Sequence, residues 1–373
     1  MPRDLKLVYV SLLFIGLGYG LYAYLLPLYA QSMGARPVQI GLLYTAFFLV
    51  TTLVAIPGGL LADRFELKTI IVLDWLLILP AVILFYVARS WTFLLLGEIV
   101  AGLSMLNSPA MSVYITRRVP RGKINTAFTF VYSSFPLGMV VSPAVGGYLA
   151  NFIGIKNIFL VSLFMFLISS VIISFISPER HRPFAKIPGV LKGLRNREFL
   201  KLIAVFTLVF LIDAMILPFI SPFLNTIKNF RLTEIGFAGA FISLGAAVLG
   251  PLLGRLADRA GGSRSISFGL LFISASLVIV LASKSPWPIM IGLFAYGLFS
   301  GIYSIARGIL SLRVRNLPLG VSYGVFGAVS TGASFVGPLV SGVLYETSPA
   351  LPFTLSAGLA LAIAILIVGY QRL

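Results

Sequence analysis

Apolar runs of twenty residues or more recur from one end of this 373-residue chain to the other, and no other feature limits its fold so severely. A run of that length crosses the roughly 30 Å hydrocarbon core of a bilayer as a helix. Inside hydrocarbon a helix pairs its own backbone groups, whereas strands must close into a barrel to do so. Barrel strands would read as alternating segments of about ten residues, and the chain has none. Hydrophobic residues make up 59% and charged residues 10%, more apolar surface than one aqueous core can hide. The chain is therefore expected to be an all-α polytopic membrane protein.

Twelve candidate transmembrane helices follow: 6–30, 37–61, 69–88, 91–115, 124–150, 157–177, 200–224, 234–256, 265–283, 287–311, 319–345 and 350–370. The first does not read as a cleaved signal peptide, because "LLPLYAQSMG" leads straight into the second with no small-residue cleavage site. There is no cysteine, so no disulfide or thiolate ligand is available, and the single histidine, His181, sits in a basic loop. No metal and no cofactor are expected.

Lys and Arg are distributed unequally between the two sides. Of the 28, 22 fall at the termini, in the even-to-odd connections or near helix ends on that side. The other six, Arg36, Arg89, Lys156, Lys228, Arg231 and Lys284, lie opposite. The positive-inside rule then makes both termini cytoplasmic, in a multi-pass protein of the cell membrane. The net charge of +17 is spread over short loops facing anionic lipid, so a nucleic-acid partner is not expected.

The chain repeats itself at an offset of 195 residues. Asp63 maps to Asp258, Arg64 to Arg259, Gly59 to Gly254, Gly41 to Gly236, Pro143 to Pro338 and Gly147 to Gly342. One register held through several spans predicts two homologous six-helix bundles, 1–178 and 199–373, with the same orientation. The segment 179–198 between them is basic, with scattered apolar residues, and is expected to be a cytoplasmic linker or short interfacial helix.

The most conspicuous repeated element is "GGLLADRFELK", residues 58–68, copied as "LGRLADRAGG" at 253–262. Glycine permits close backbone approach. Asp63 is placed before an expected helix start, where it can accept from free N–H groups or a neighbouring cation. Gly59, Leu61, Ala62, Asp63, Arg64 and Lys68 here, and Gly254, Asp258 and Arg259 in the second copy, resemble the loop signature of the major facilitator superfamily. Glu66 and Leu67 depart from it, standing where glycine and arginine are usual. The resemblance covers nearly the whole chain. It implies the twelve-helix fold and a conformational gate at these loops, to which Asp74, six residues past Lys68, is added as part of the charge network. A plain positive anchor with a cap is the simpler alternative for the loops.

A second element, "GMVVSPAVGG" at 138–147, resembles the antiporter signature of the same superfamily, with Gly138, Pro143, Gly146 and Gly147 kept and Ser142 in place of glycine. Its repeat copy has Gly337, Pro338 and Gly342. Proline bends a helix and glycines admit a close neighbour, so packing alone also accounts for the pattern. The resemblance favours the drug and metabolite exporter branch, a proton antiporter.

Four charges lie within expected spans, where an ionised group is costly unless paired, protonated or near water. Asp213 follows Lys201 by twelve residues, about 18 Å of helix, and so sits near mid-membrane. Its repeat mate is Gly18. It is the first candidate for proton coupling and Glu98 the second, although either could instead be satisfied within a helix interface. Arg307 can hold an acid or an anionic substrate, or extend toward headgroups. The superfamily's geometry places the first, fourth, seventh and tenth helices around a central cavity. On those helices Tyr19, Tyr22, Asn107, Tyr296, Tyr303 and Arg307 are the candidate substrate-binding residues, and lipid-facing packing is the alternative for any one of them. Tyr296 and Tyr303, seven apart, should share a helix face.

The expected function is secondary active transport, as proton-coupled export of a small amphiphilic, neutral or cationic solute by alternating access. The protein is expected to act as a monomer among membrane lipids. The alternatives are a facilitator or importer of a small polar or anionic metabolite, and a non-transporting receptor or assembly protein on the same scaffold. No catalytic constellation or nucleotide-binding loop points to an enzyme.

Overall fold

The computed structural model describes residues 2–120, 124–179, 197–313, 327–328, 331–332 and 334–369. Most of the 179–198 linker, including His181, and the start of the eleventh expected span lie outside the described residues. Ten described stretches are long and apolar enough to cross a membrane, and each falls on an expected span. Leu351–Ile367 is a shorter apolar helix on the twelfth. Side chains such as Phe152, Trp287 and Leu366 are about two-thirds or more exposed, as an apolar belt in lipid would be.

The first six spans comprise α1 (Arg3–Ala23) with α2 (Leu26–Ser32), α3 (Pro37–Arg64), α4 (Leu67–Val87), α5 (Trp91–Leu103) with α6 (Ser108–Arg117), α7 (Ile124–Tyr132) with α8 (Ser134–Ile153), and α9 (Ile155–Ser174). The remainder comprise α10 (Arg197–Ile216), a short 3₁₀ turn (Leu217–Phe219) and α11 (Ile220–Thr226) as one span, then α12 (Leu232–Ala260) and α13 (Gly262–Ala282). After them come α14 (Pro286–Tyr296) with α15 (Leu298–Arg313), α16 (Val336–Thr347) and α17 (Leu351–Gly369). Spans one, four, seven and ten are thus all broken within their length, as is span five at Ser133. Pro27, Pro109 and Pro218 stand in the first turn after three of these breaks, where a missing N–H costs least.

The repeat explains the departure at Glu66. In the second copy a single glycine, Gly261, joins α12 to α13 with φ 91°, which a side chain would resist. In the first copy Phe65 and Glu66 share the turn with φ −116° and −64°, so glycine is not needed. Glu66 instead accepts a 2.7 Å hydrogen bond from the Thr69 hydroxyl at the start of α4. Asp63 is not placed before a helix start as expected. It lies in the last turn of α3, buried, because that helix continues to Arg64.

The two sets of spans meet along α8 with α12 and α3 with α16, at the end remote from the basic loops. A methyl group on Gly236 would overlap the Pro143 carbonyl oxygen, and one on Gly41 would overlap that of Pro338. These two contacts are exact repeat mates. Farther out, Asn151 Nδ2 donates to Thr233 Oγ1 at 2.7 Å, and at the mate positions the Val38 N–H reaches Glu346 Oε1 at 3.5 Å. The Thr45 hydroxyl donates to the Phe335 carbonyl at 2.8 Å, and deeper still the Thr52 and Thr331 hydroxyls meet at 2.9 Å.

At the basic end Arg64, Asp258 and Arg259 are exposed, and a Cβ on Gly254 would meet nothing within 4 Å. Among the described residues, the principal contacts between the two sets of spans lie at the end remote from the basic loops. Gly254 therefore makes none of the close approach expected of it in this arrangement.

Candidate functional site

Glu98 occupies the buried face of α5, 7% exposed, with no hydrogen-bond or ion-pair partner among the described residues. Tyr19 and Tyr22 of α1 and Tyr44 of α3 lie within electrostatic range of its carboxylate. Gly97 beside it receives the Phe85 ring of α4, which fixes the rotation of α5 and so the direction of Glu98. Tyr22 stacks obliquely on Phe85 and Phe159 at 5.8 and 5.4 Å, so one side of it belongs to the aromatic core. Tyr19 meets Tyr22 edge-on at 5.4 Å. A buried acid without a partner, bordered by tyrosines, is suited to receiving a proton or an organic cation.

Asp213 belongs to the other set of spans. Its Oδ1 accepts a 2.7 Å hydrogen bond from the Tyr296 hydroxyl, and it is half-buried on α10. Tyr24, at the break between α1 and α2, lies within electrostatic range of Asp213, of Tyr296 and of Tyr19. The aromatic residues thus form a continuous series from Glu98 in the first set to Asp213 in the second. Gly337 of α16 fits against Ala214, the neighbour of Asp213, and the Ser341 hydroxyl donates to the Met215 carbonyl at 2.6 Å. The antiporter-like copy in α16 therefore seats the helix that carries Asp213.

Tyr296 and Tyr303 are separated by the break at Gly297, so they do not stand on one continuous helix as expected. Both nevertheless face α10, Tyr296 through Asp213 and Tyr303 through the Phe210 ring at 4.9 Å. Arg307 is on α15, and its side chain lies outside the described residues.

Asn107 and Asp74 are brought together rather than to the places expected of them. Both the backbone N–H and the side-chain amide of Asn107 donate to the Asp74 carboxylate, which is 3% exposed. The reason is the break in the fourth span. Residues 104–107 leave the helix, and Asp74 satisfies the donors freed at the start of α6. Asn107 is thereby hydrogen-bonded within the first set of spans, and Asp74 is a buried brace between the third and fourth spans. Their repeat mates are Gly269 and Ile302, which meet through apolar contact at the same point.

The glycines of the helix-packing elements act as close contacts. Gly138 and Gly146 of α8 admit the α1 backbone, Gly147 admits α12, and Gly342 admits Pro37 and Val38 of α3. Gly59 and Lys68 of the loop element are buried and half-buried, respectively. A charge cluster at the basic end centres on Arg118. Arg118, at the end of α6, pairs with Asp4 at 3.0 Å and Glu179 at 3.2 Å, while the Tyr114 hydroxyl donates to Asp4 at 3.1 Å.

Sequence reasoning missed Asp4, Tyr24 and Tyr44. Asp4 was legible as an acid among basic residues. Tyr44 was legible by the repeat, since its mate is Gly239, the same kind of asymmetry that marks Asp213 and Gly18.

The sequence pattern of the Major Facilitator Superfamily matches residues 8–220 and 202–372. The quinolone resistance protein NorA of Staphylococcus aureus (strain Mu50) is 22% identical over 378 residues, covering 97% of this chain and 95% of that protein. An uncharacterized MFS-type transporter, MJ1560 of Methanocaldococcus jannaschii, is 24% identical over 359 residues, covering 93% and 92%. Among solved structures, the nucleoside transporter NupG superposes with a TM-score of 0.80 at 14% identity, over 100% of both chains. The human organic anion transporter MFSD10 gives 0.74 at 16% identity, over 98% of this chain and 100% of that one. With the family pattern matching along both sets of spans, the chain belongs to the Major Facilitator Superfamily.

Proposed function

We propose that the protein exports a small amphiphilic, neutral or cationic solute in exchange for protons, with Glu98 and Asp213 as the exchanging acids. Family membership makes it a secondary active membrane transporter working by alternating access, and not an enzyme. The observation that carries the finer reading is the unpartnered, buried Glu98 carboxylate beside Tyr19, Tyr22 and Tyr44. Such a site attracts positive charge, and among the described residues no cation stands beside it to hold an anion. The resemblance to a quinolone resistance protein along almost the whole chain supports the exporter branch.

In this reading the two bundles, 1–178 and 199–373, rock about the seam while the protein acts as a monomer. The basic loops and both termini are cytoplasmic, so the present arrangement faces inward. The loop element at 58–68 and its copy at 253–262 would engage when the basic end closes. Proton occupancy of the acids and solute occupancy then alternate, each favouring one arrangement.

The test is solute flux in sealed proteoliposomes under an imposed pH gradient, comparing wild type with Asp213→Asn and Glu98→Gln. Loss of gradient-driven accumulation in either variant supports the reading. Undiminished accumulation in both would remove these acids from the mechanism.

A further inference from the structure

Tyr24 crosses from the first set of spans to the second. It stands at the break between α1 and α2, 7% exposed, and its ring lies close against Gly239 of α12. A Cβ on Gly239 would fall 2.9 Å from Tyr24 Cγ and closer still to the ring edge, so no other residue leaves room for it. One turn farther along α12, the Ser243 hydroxyl donates to the Gly239 carbonyl at 3.0 Å, within electrostatic range of Tyr24. The ring thus fills a slot with a polar floor.

The slot has no counterpart across the repeat. The mates of Tyr24, Gly239 and Ser243 are Phe219, Tyr44 and Phe48. Phe219 stacks on Tyr345 of α16 at 4.8 Å instead, and Tyr44 fills the position that glycine leaves open in the second set. The same interface therefore treats its two sides differently. On one side a tyrosine is accepted from the opposite set, and on the other a tyrosine is supplied near Glu98.

We propose that Tyr24 is a positioning residue that docks in the Gly239–Ser243 slot when the end remote from the basic loops closes, and that docking brings it beside Asp213. Ridges of packed side chains switch between discrete fits rather than sliding continuously, so a ring in a glycine slot gives the closed end a defined register. In making Asp213 the neighbour that responds, the inference rests on the role proposed for that acid. The docking itself does not.

The chain contains no cysteine, so two labels can be introduced without removing any residue's native thiol. Arg89 and Lys284 are repeat mates, both exposed at the closing end and on opposite sets of spans. Spin labels on Arg89→Cys and Lys284→Cys give the distance across that end by pulsed electron resonance, with no solute or gradient required. Gly239→Ala is expected to move the population toward longer distances by about tenfold, as a methyl group forced into a filled site does. Tyr24→Ala alone should produce a smaller shift, and the double variant should return toward the wild-type distribution because the methyl then occupies the vacated space.

An unshifted distribution in Gly239→Ala, or no reversal by Tyr24→Ala, overturns the proposal. If Gly239→Ala fails to fold, the Tyr24→Ala distribution decides alone: a shift to longer distances supports docking, and none overturns it. Adding Asp213→Asn tests the second part. It should change the distances in the wild-type background but not with Tyr24→Ala, and equal changes in both would detach Tyr24 from Asp213 while leaving the docking result standing.

Discussion

The hydroxyl of Tyr296 donates a 2.7 Å hydrogen bond to Asp213, joining the end of α14 to the middle of the seventh span. A hydrogen bond to a charged group is worth about 1.5–3 kcal/mol. Tyr296→Phe is therefore expected to slow gradient-driven flux by roughly tenfold or more. Asp213→Asn should abolish accumulation yet preserve solute exchange between equal pools. Counterflow and gradient-driven uptake measured side by side on the same vesicles separate the two effects.

Among the described residues Glu98 has no cation partner, so Glu98→Gln removes charge without stranding one of them. Binding of a lipophilic organic cation such as tetraphenylphosphonium should weaken by roughly 2 kcal/mol, about thirtyfold. A neutral solute of similar size should bind as before. Titration calorimetry on the detergent-solubilised protein measures both, and equal weakening of the two would mean that Glu98 acts on shape rather than charge.

At the seam, Gly236→Ala pushes a methyl group into the Pro143 carbonyl, and Gly41→Ala does the same at Pro338. Overpacking of this kind costs about 1–3 kcal/mol. Each variant should favour the arrangement open at that end. Labelling of a cysteine introduced at Thr45, which faces the seam through Phe335, should accelerate in both.

The Asp4–Arg118 pair makes a different prediction, about stability. Arg118→Ala leaves Asp4 buried beside the Tyr114 hydroxyl and the Ser177 N–H, with its countercharge gone. The loss is expected to be roughly 1–3 kcal/mol, discounted because Arg118 is partly exposed. Asp4→Asn in the same background should recover part of it. Thermal unfolding of the solubilised protein, followed by intrinsic fluorescence, gives the order of the three variants.

Much of the architecture is readable from residues because lipid leaves so few solutions. An apolar run of twenty can only be a helix, and the offset linking Asp63 to Asp258 pairs the spans without any coordinates. Depth was also readable, placing Asp213 and Glu98 well inside. Facing was not. Nothing in the sequence says that Asn107 turns to Asp74, since that depends on a break in the fourth span whose position no single proline dictates. The charge of the loop acid Asp63 suggests a cap outside a helix, yet the chain stays helical through Arg64. Tyr44 lies outside the helices that the superfamily resemblance sets around the cavity, and only the packing of α3 against α5 brings it near Glu98.

The mirrored contacts Pro143–Gly236 and Pro338–Gly41 have a historical implication. Each uses one proline-bearing and one glycine-bearing helix, and each six-span unit supplies one of both. A single ancestral unit carrying the two helices could make both contacts with a second copy of itself, as any isologous twofold dimer does. The seam keeps the symmetry of the repeat, while Asp213, Glu98 and Tyr24 occupy positions where the two repeat copies differ.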